Sequence, residues 1–437
     1  MKKIFFLWNR LTSTFWFIPC VIILGAILLS MFLVHIDSIT SFSEEGFAGS
    51  FIVKSSDSAR SILVTIAAAM MGVAGTVFSV TLVALTLASS QFGSRLIKNF
   101  MYVRLNQVVL GAYISTYLYC LLVLNAIKDN DGYIFIPSIS IMVAIFAAIA
   151  NIILIIVFIH KIAISIQADK VISDISDYIS KQFKNLYPHK MGQENEEGLT
   201  VDAENLKIIF TFNIVLKSPK SGYLQYVDGE KLIKLISKIG GVLHLHSRPG
   251  QYMVAGMDIA TLYIHENIAQ ERLNKIVKQF VIGKTKMAQQ DLEYSIHQMV
   301  EVAVRALSPG INDPFTAIAC IDNLTSTLCT LVQIKLPSPY RYDEENKLRV
   351  IAEASDFEGV LDAAFNQIRQ FSNGSPAVMI RLLEALTRIN EFTRDEHYKK
   401  TIFKHAKMVL NLGEETIIEP NDLQDLQVRF KQVRSNF

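Results

Sequence analysis

"ILVTIAAAMMGVAGTVFSVTLVALTLA", residues 62–88, runs for 27 residues without one Asp, Glu, Lys or Arg. About 20 helical residues suffice to cross the roughly 30 Å hydrocarbon core of a bilayer. A soluble helix of this length would show a charged face, so the stretch places the chain in a membrane. Phe15 to Val34, Val108 to Val123 (extendable to Ile127) and Tyr133 to Ile159 are likewise free of charge. The whole chain is 51% hydrophobic and only 19% charged, against about a quarter charged in soluble domains. Its mean hydropathy is +0.32. The reading is a membrane α-helical protein with four transmembrane helices, about 15–34, 62–88, 106–127 and 133–159, in a four-helix domain over residues 1–160.

Basic residues orient the spans. Lys2, Lys3 and Arg10 precede the first, Arg95, Lys98 and Arg104 separate the second from the third, and Lys161 and Lys170 follow the fourth. The other two loops hold mostly Asp and Glu, so both termini are expected in the cytoplasm of a bacterial inner (plasma) membrane. The first apolar run is long for a signal-peptide core and no A-x-A site follows it, so it is read as a retained span. Net charge is +2; no cluster of Lys and Arg suggests nucleic acid. Cys20, Cys120, Cys320 and Cys329 lack C-x-x-C spacing and read as packing residues.

Beyond the fourth span, Ile162, Ile166, Ile172, Ile175, Ile179, Phe183 and Leu186 recur at helical spacing opposite Asp, Lys and Ser. They predict an amphipathic stalk helix over 161–187, ended by Pro188, then a polar linker over 188–199. Residues 200–267 alternate or run β-branched between Gly, Pro and Asn, as in "LKIIFTFNIVL", "GGVLHLHS" and "SRPGQYMVAGMDIATLYI". This predicts a small β-rich cytoplasmic domain with one helix, "DGEKLIKLISKIG", capped by Asp228. From 268 to 437 the pattern is helical, with helices expected around 314–331, 346–371, 376–392, 395–411 and 421–434. The cytoplasmic region is thus α+β: the β-rich domain followed by a helical domain.

Chemistry-bearing residues are sparse. In the second span, Gly72, Thr76, Ser79, Val83, Thr86 and Ser90 recur every three or four residues as a small and hydroxylic stripe. Such a stripe either packs closely on a neighbouring helix or faces water in a pore. Gln91, Ser94 and Arg95 follow it as a candidate cytoplasmic mouth. No charge lies mid-membrane, which disfavours a proton relay. In "RALSPGINDPFTA", residues 305–317, Ser308-Pro309-Gly310 ends one helix, and Asp313 with Pro314 starts another. Asp291, Arg305, Asn312 and Asp313 form either a ligand pocket or a polar joint holding two helices at a fixed angle. Catalysis lacks a nucleophile–base pair, and G-x-S-x-G, P-loop, G-x-G-x-x-G and H-E-x-x-H are all missing. His244 and His246 share one side of a strand, yet no suitably spaced carboxylate or thiol completes a metal site. No metal, cofactor or enzymatic activity is expected.

"RALSPGINDPFTA", "SGYLQYVD", "PGQYMVAG", "TVFSVTLVALTLASSQFGSRLI" and "NQVVLGAYISTYLYCLLVL" together resemble a family of bacterial predicted inner-membrane proteins of unknown function, over most of the chain to about residue 330. The resemblance implies a plasma-membrane protein with a cytoplasmic domain, and no reaction. The leading expectation is an oligomeric channel or permeation-type protein, a homo-oligomer in the lipid bilayer, gated or regulated by its cytoplasmic domain. The alternative is a non-conducting membrane-anchored sensor or scaffold that binds a ligand or partner.

Overall fold

The charge-free runs form helices α1 (Phe17–Ile39), α2 (Ser56–Phe92), α3 (Arg104–Ala126) and α4 (Ser138–Ser165). All four are long and apolar enough to cross a membrane. The computed structural model describes residues 14, 16–39, 55–93, 104–130, 133–183, 186–188, 191–194 and 203–435. It divides into two units, Met1–Lys170 and Val171–Phe437.

Within the first unit α3 is the central helix: half of its apolar window is buried, against 11% for α1. It packs on α1, α2 and α4. Gly111 lets α1 approach, since an added Cβ would lie 3.0 Å from the Pro19 Cα. Without water to satisfy polar groups, side-chain hydrogen bonds tie the helices together. Tyr113 Oη donates to the Asn151 carbonyl at 2.6 Å, and Asn151 Nδ2 donates to Thr116 Oγ1 at 2.9 Å. Asp37, near the end of α1, accepts from the backbone N–H of Ile139 and Ser140 at 2.9 and 3.0 Å, satisfying orphan donors at the start of α4. A hairpin of β1 (Lys128–Asn130) and β2 (Tyr133–Phe135) joins α3 to α4.

The expected stalk is not a continuation of α4, which stops at Ser165. A separate helix, α5 (Ala168–Gln182), follows. Its apolar stripe of Val171, Ile172, Ile175 and Ile179 is buried, so the segment packs as part of a domain and does not stand free. The linker reading also needs correction over 191–194. Met191 is buried and Gln193 pairs with Tyr342. The buried Arg341 guanidinium donates to the Met191 and Gly192 carbonyls and pairs with Glu194 at 2.7 Å. A buried guanidinium needs acceptors on every side, and this polar segment supplies them.

The second unit is mixed. In chain order come α6 (Ala203–Ile209), β3 (Phe212–Lys217), β4 (Gly222–Val227), α7 (Gly229–Ile239), β5 (Val242–Leu245), β6 (Tyr252–Met253), β7 (Asp258–Ile264), α8 (Gln270–Val277) and β8 (Phe280–Gly283). Next are α9 (Leu292–Ala306), α10 (Pro314–Leu331), β9 (Tyr340–Tyr342), β10 (Leu348–Ala352), α11 (Phe357–Phe371), α12 (Pro376–Phe392), α13 (Glu396–Thr416) and α14 (Pro420–Ser435). A five-stranded sheet has the order β3-β7-β5-β10-β9, and a three-stranded sheet β6-β4-β8. Asp228 caps α7 through the Lys231 N–H, and α7 buries Leu232, Ile233 and Ile236 in the sheet core.

Residue 267 is therefore no boundary of either sheet: β8 of the three-stranded sheet and β9 and β10 of the five-stranded one come from beyond it. Within 346–371, expected to be one helix, "LRVIA" forms β10 and pairs parallel with β5. A short apolar run suits a buried strand and a buried helix equally, and here the partner strand decides. Similarly, the first residues of "LKIIFTFNIVL" belong to α6. The remaining helices pack in neighbouring pairs, α9 on α10 and α11, and α12 on α10, α13 and α14.

Candidate functional site

Gly72, Thr76, Ser79, Val83, Thr86 and Ser90 are all exposed on α2. A Cβ at Gly72 would meet nothing within 4 Å. The buried face of α2 is a different one, running through Ala67, Met70, Ala74, Val77, Thr81 and Ala88. Gly72 sits two residues from both Met70 and Ala74, which at 3.6 residues per turn is about 200° or 160° around the axis. Packing within the protomer thus falls to the alanine face, and the stripe points the other way. Its hydroxyls donate to their own helix: Ser79 Oγ to the Gly75 carbonyl at 2.9 Å and Thr86 Oγ1 to Leu82 at 2.9 Å. With the proton used there, each oxygen keeps acceptor capacity. Gln91 is exposed at the end of the helix; Ser94 and Arg95 lie outside the described residues.

The loop between α9 and α10 follows the expected local chemistry. Ser308 Oγ donates to the Arg305 carbonyl at 2.6 Å, and the Asp313 N–H donates to Ala306 at 2.8 Å. Asn312 takes the left-handed conformation at φ 49°, a region Asn tolerates better than most side chains. Asp313 caps α10, accepting from Thr316 N at 3.1 Å and Thr316 Oγ1 at 2.6 Å. The Thr316 hydroxyl bond, together with backbone N–H groups, holds this carboxyl below the usual aspartate range. The tip is not a buried joint: Pro309, Gly310, Ile311 and Asn312 are exposed, and Phe315 is 80% exposed.

Asp291 does not join that loop. It caps the opposite end of α9, 14 residues before Arg305, about 21 Å away at 1.5 Å per residue. A single pocket of Asp291, Arg305, Asn312 and Asp313 is therefore ruled out. Asp291 Oδ1 accepts from Tyr294 N at 3.0 Å, while Oδ2 is buried without a hydrogen-bond partner. The residue is 7% exposed. Burial pushes its carboxyl up to about 6, against partial relief from the Tyr294 N–H. Gly250, at φ +97°, lies so close that a Cβ there would overlap Oδ2.

Asp291 lines a cavity of about 30 Å³ with Gln182, Tyr187, Arg248, Ala288 and Ser355, room for a water molecule or two. Arg248 is committed at its rim, Nη2 to Glu293 at 2.7 Å and Nη1 to Ser355 Oγ at 2.5 Å. Gln182 Nε2 donates to the Ala288 carbonyl. Gln182 Oε1 and Tyr187 Oη are buried without hydrogen-bond partners, and burial raises the Tyr187 phenol. Only Asp291 among these was singled out from sequence. The others come from segments up to 173 positions apart (Gln182 to Ser355), and the one local hint was the Pro249-Gly250 turn. His244 and His246 meet edge to face with ring centroids 4.9 Å apart, and His246 bonds Thr261 Oγ1 at 2.7 Å. Among the described residues no three His, Cys, Asp or Glu converge as a metal site.

A family model described as "Predicted membrane protein (DUF2254)" matches residues 12–388. The uncharacterized proteins Mb1321c of Mycobacterium bovis and Rv1290c of Mycobacterium tuberculosis are each 27% identical over 371 residues, covering 83% of this chain and 70% of theirs. No solved structure matches significantly.

Proposed function

The chain belongs to the DUF2254 family of predicted membrane proteins, and we propose that it is the protomer of a homo-oligomeric channel whose α2 stripe faces a shared axial path. The observation that carries the proposal is the exposure of Gly72, Thr76, Ser79, Val83, Thr86 and Ser90 on a helix whose inward packing is already supplied by its alanine face. Lipid rewards no such small, hydroxylic stripe. An assembly gains from it twice, through close helix approach and through acceptor oxygens that replace water around a passing solute. At 37 residues, α2 is about 55 Å long and outreaches the hydrocarbon core at its ends.

The positive-inside pattern puts both termini and the unit Val171–Phe437 in the cytoplasm, where that unit regulates the path. The role is non-catalytic. Reconstituted vesicle flux tests it: Ser79→Trp, which adds an indole to the stripe, is expected to lower flux at least tenfold relative to wild type. Equal flux in both proteins, or none in either, defeats the proposal.

A further inference from the structure

We propose that the cavity at Asp291, Gln182 and Tyr187 is a binding site for one dehydrated monovalent cation, of the size of sodium, potassium or ammonium. Three buried oxygens without hydrogen-bond partners line it: Asp291 Oδ2, Gln182 Oε1 and Tyr187 Oη. Two of them can only accept, and the phenol oxygen accepts as well. An occupant must therefore offer positive charge or protons. An anion would meet a buried carboxylate, and Arg248, the cation in the lining, is already turned to Glu293 and Ser355.

Charge balance points the same way. The charged groups around the cavity are Asp291, Glu293, Arg248 and Lys286, with Glu353 beside Tyr187. Of these only Asp291 and Arg248 line the cavity itself, and Arg248 is spent on Glu293. Lys286 and Arg248 act on Asp291 only through space, and its buried Oδ2 receives no hydrogen bond. One or two water molecules would fit the roughly 30 Å³ and donate to these oxygens, but they bring no positive charge to the carboxylate, and a buried charge without a close counter-charge is costly. A divalent ion demands more carboxylates than one, and no cluster of three metal-binding side chains occurs among the described residues. The site is independent of conduction through α2, since it is built wholly within Val171–Phe437.

The full chain in lipid nanodiscs, at constant ionic strength, gives the test. Thermal unfolding is followed in sodium, potassium, ammonium and N-methylglucamine chlorides, the last cation being too large for the cavity. At pH 7.5 at least one small cation is expected to raise the melting temperature of wild type by several degrees over N-methylglucamine. Asp291→Asn keeps the cap acceptor and the shape but removes the charge, and is expected to abolish the rise. Tyr187→Phe, which deletes a single oxygen, is expected to shrink it. Burial holds the carboxyl at about 6, so the wild-type response should fade by pH 5. An identical melting temperature in all four salts means a water-filled cavity and overturns the proposal. A rise of the same size in Asp291→Asn places the ion elsewhere and overturns it too.

Discussion

Asp291 and Asp313 begin consecutive helices and do the same local work, each accepting from the backbone N–H three residues ahead. Their surroundings differ. Asp313 stands at an exposed turn with both oxygens used by Thr316, and its carboxyl is held low. Asp291 lies under Gly250 with one oxygen unpartnered, and burial drives its carboxyl up to about 6. A cap motif thus specifies where a helix starts. Whether the cap is a stabilising anion or a stored cost depends on what the rest of the chain folds over it.

The largest expected effect comes from releasing that cost. Between the ordinary aspartate value of 3.8 and about 6, folded Asp291 binds protons more tightly than the unfolded chain, so stability declines as pH rises through this window. Above it the penalty is complete, about 3 kcal/mol for two pKa units and a fraction. In N-methylglucamine buffer at pH 7.5, Asp291→Asn should therefore stabilise the α9 region by up to about 3 kcal/mol. Amide hydrogen exchange along α9 measures it. A gain that persists undiminished at pH 4 would show that ionisation is not its source.

Next in size is the roof over Asp291. Gly250→Ala combines a left-handed backbone with a clash on Oδ2, and should cost about 2 kcal/mol. Gly256→Ala makes the sharper comparison. Gly256 also has positive φ, +84°, yet has open space around it, so its replacement should cost about 1 kcal/mol, from backbone strain alone. Equal thermal shifts for the two variants would mean that contact with Asp291 contributes nothing.

The smallest effect belongs to the exposed cap. Asp313→Ala should lose about 1 kcal/mol, and Asp313→Asn much less. Because the folded carboxyl lies below its ordinary value, its contribution is present above pH 3.8 and lost as pH falls below it. The two aspartates therefore respond with opposite signs at neutral pH. Hydrogen exchange at the first turn of α10 follows this, and an unchanged rate in Asp313→Ala would leave the loop with a role other than starting the helix.

Much of this was legible in the residues. Charge-free runs announced four spans because a bilayer removes the alternative of a solvated face. Pro314 after Asp313 announced the start of α10, because both preferences act within one turn. Sheet membership was less legible. "LRVIA" became a strand only because β5 was free to pair with it, and "MGQE" lost its linker character to the needs of the buried Arg341. The cavity was almost invisible: Gln182, Tyr187, Arg248, Asp291 and Ser355 meet only after the chain has closed on itself.

The sequence by itself determined that this protein enters a membrane, where its spans lie, and which residues cap its helices. These are consequences of transfer free energy and of hydrogen bonds within a single turn. Tertiary structure alone decided that the hydroxylic stripe of α2 faces outward while its alanines pack inward, since both faces are small and only the neighbouring helices distinguish them. It also decided that Asp291, chemically the same cap as Asp313, keeps one buried oxygen without a hydrogen-bond partner. Burial belongs to the whole fold, and no neighbour in sequence can supply it.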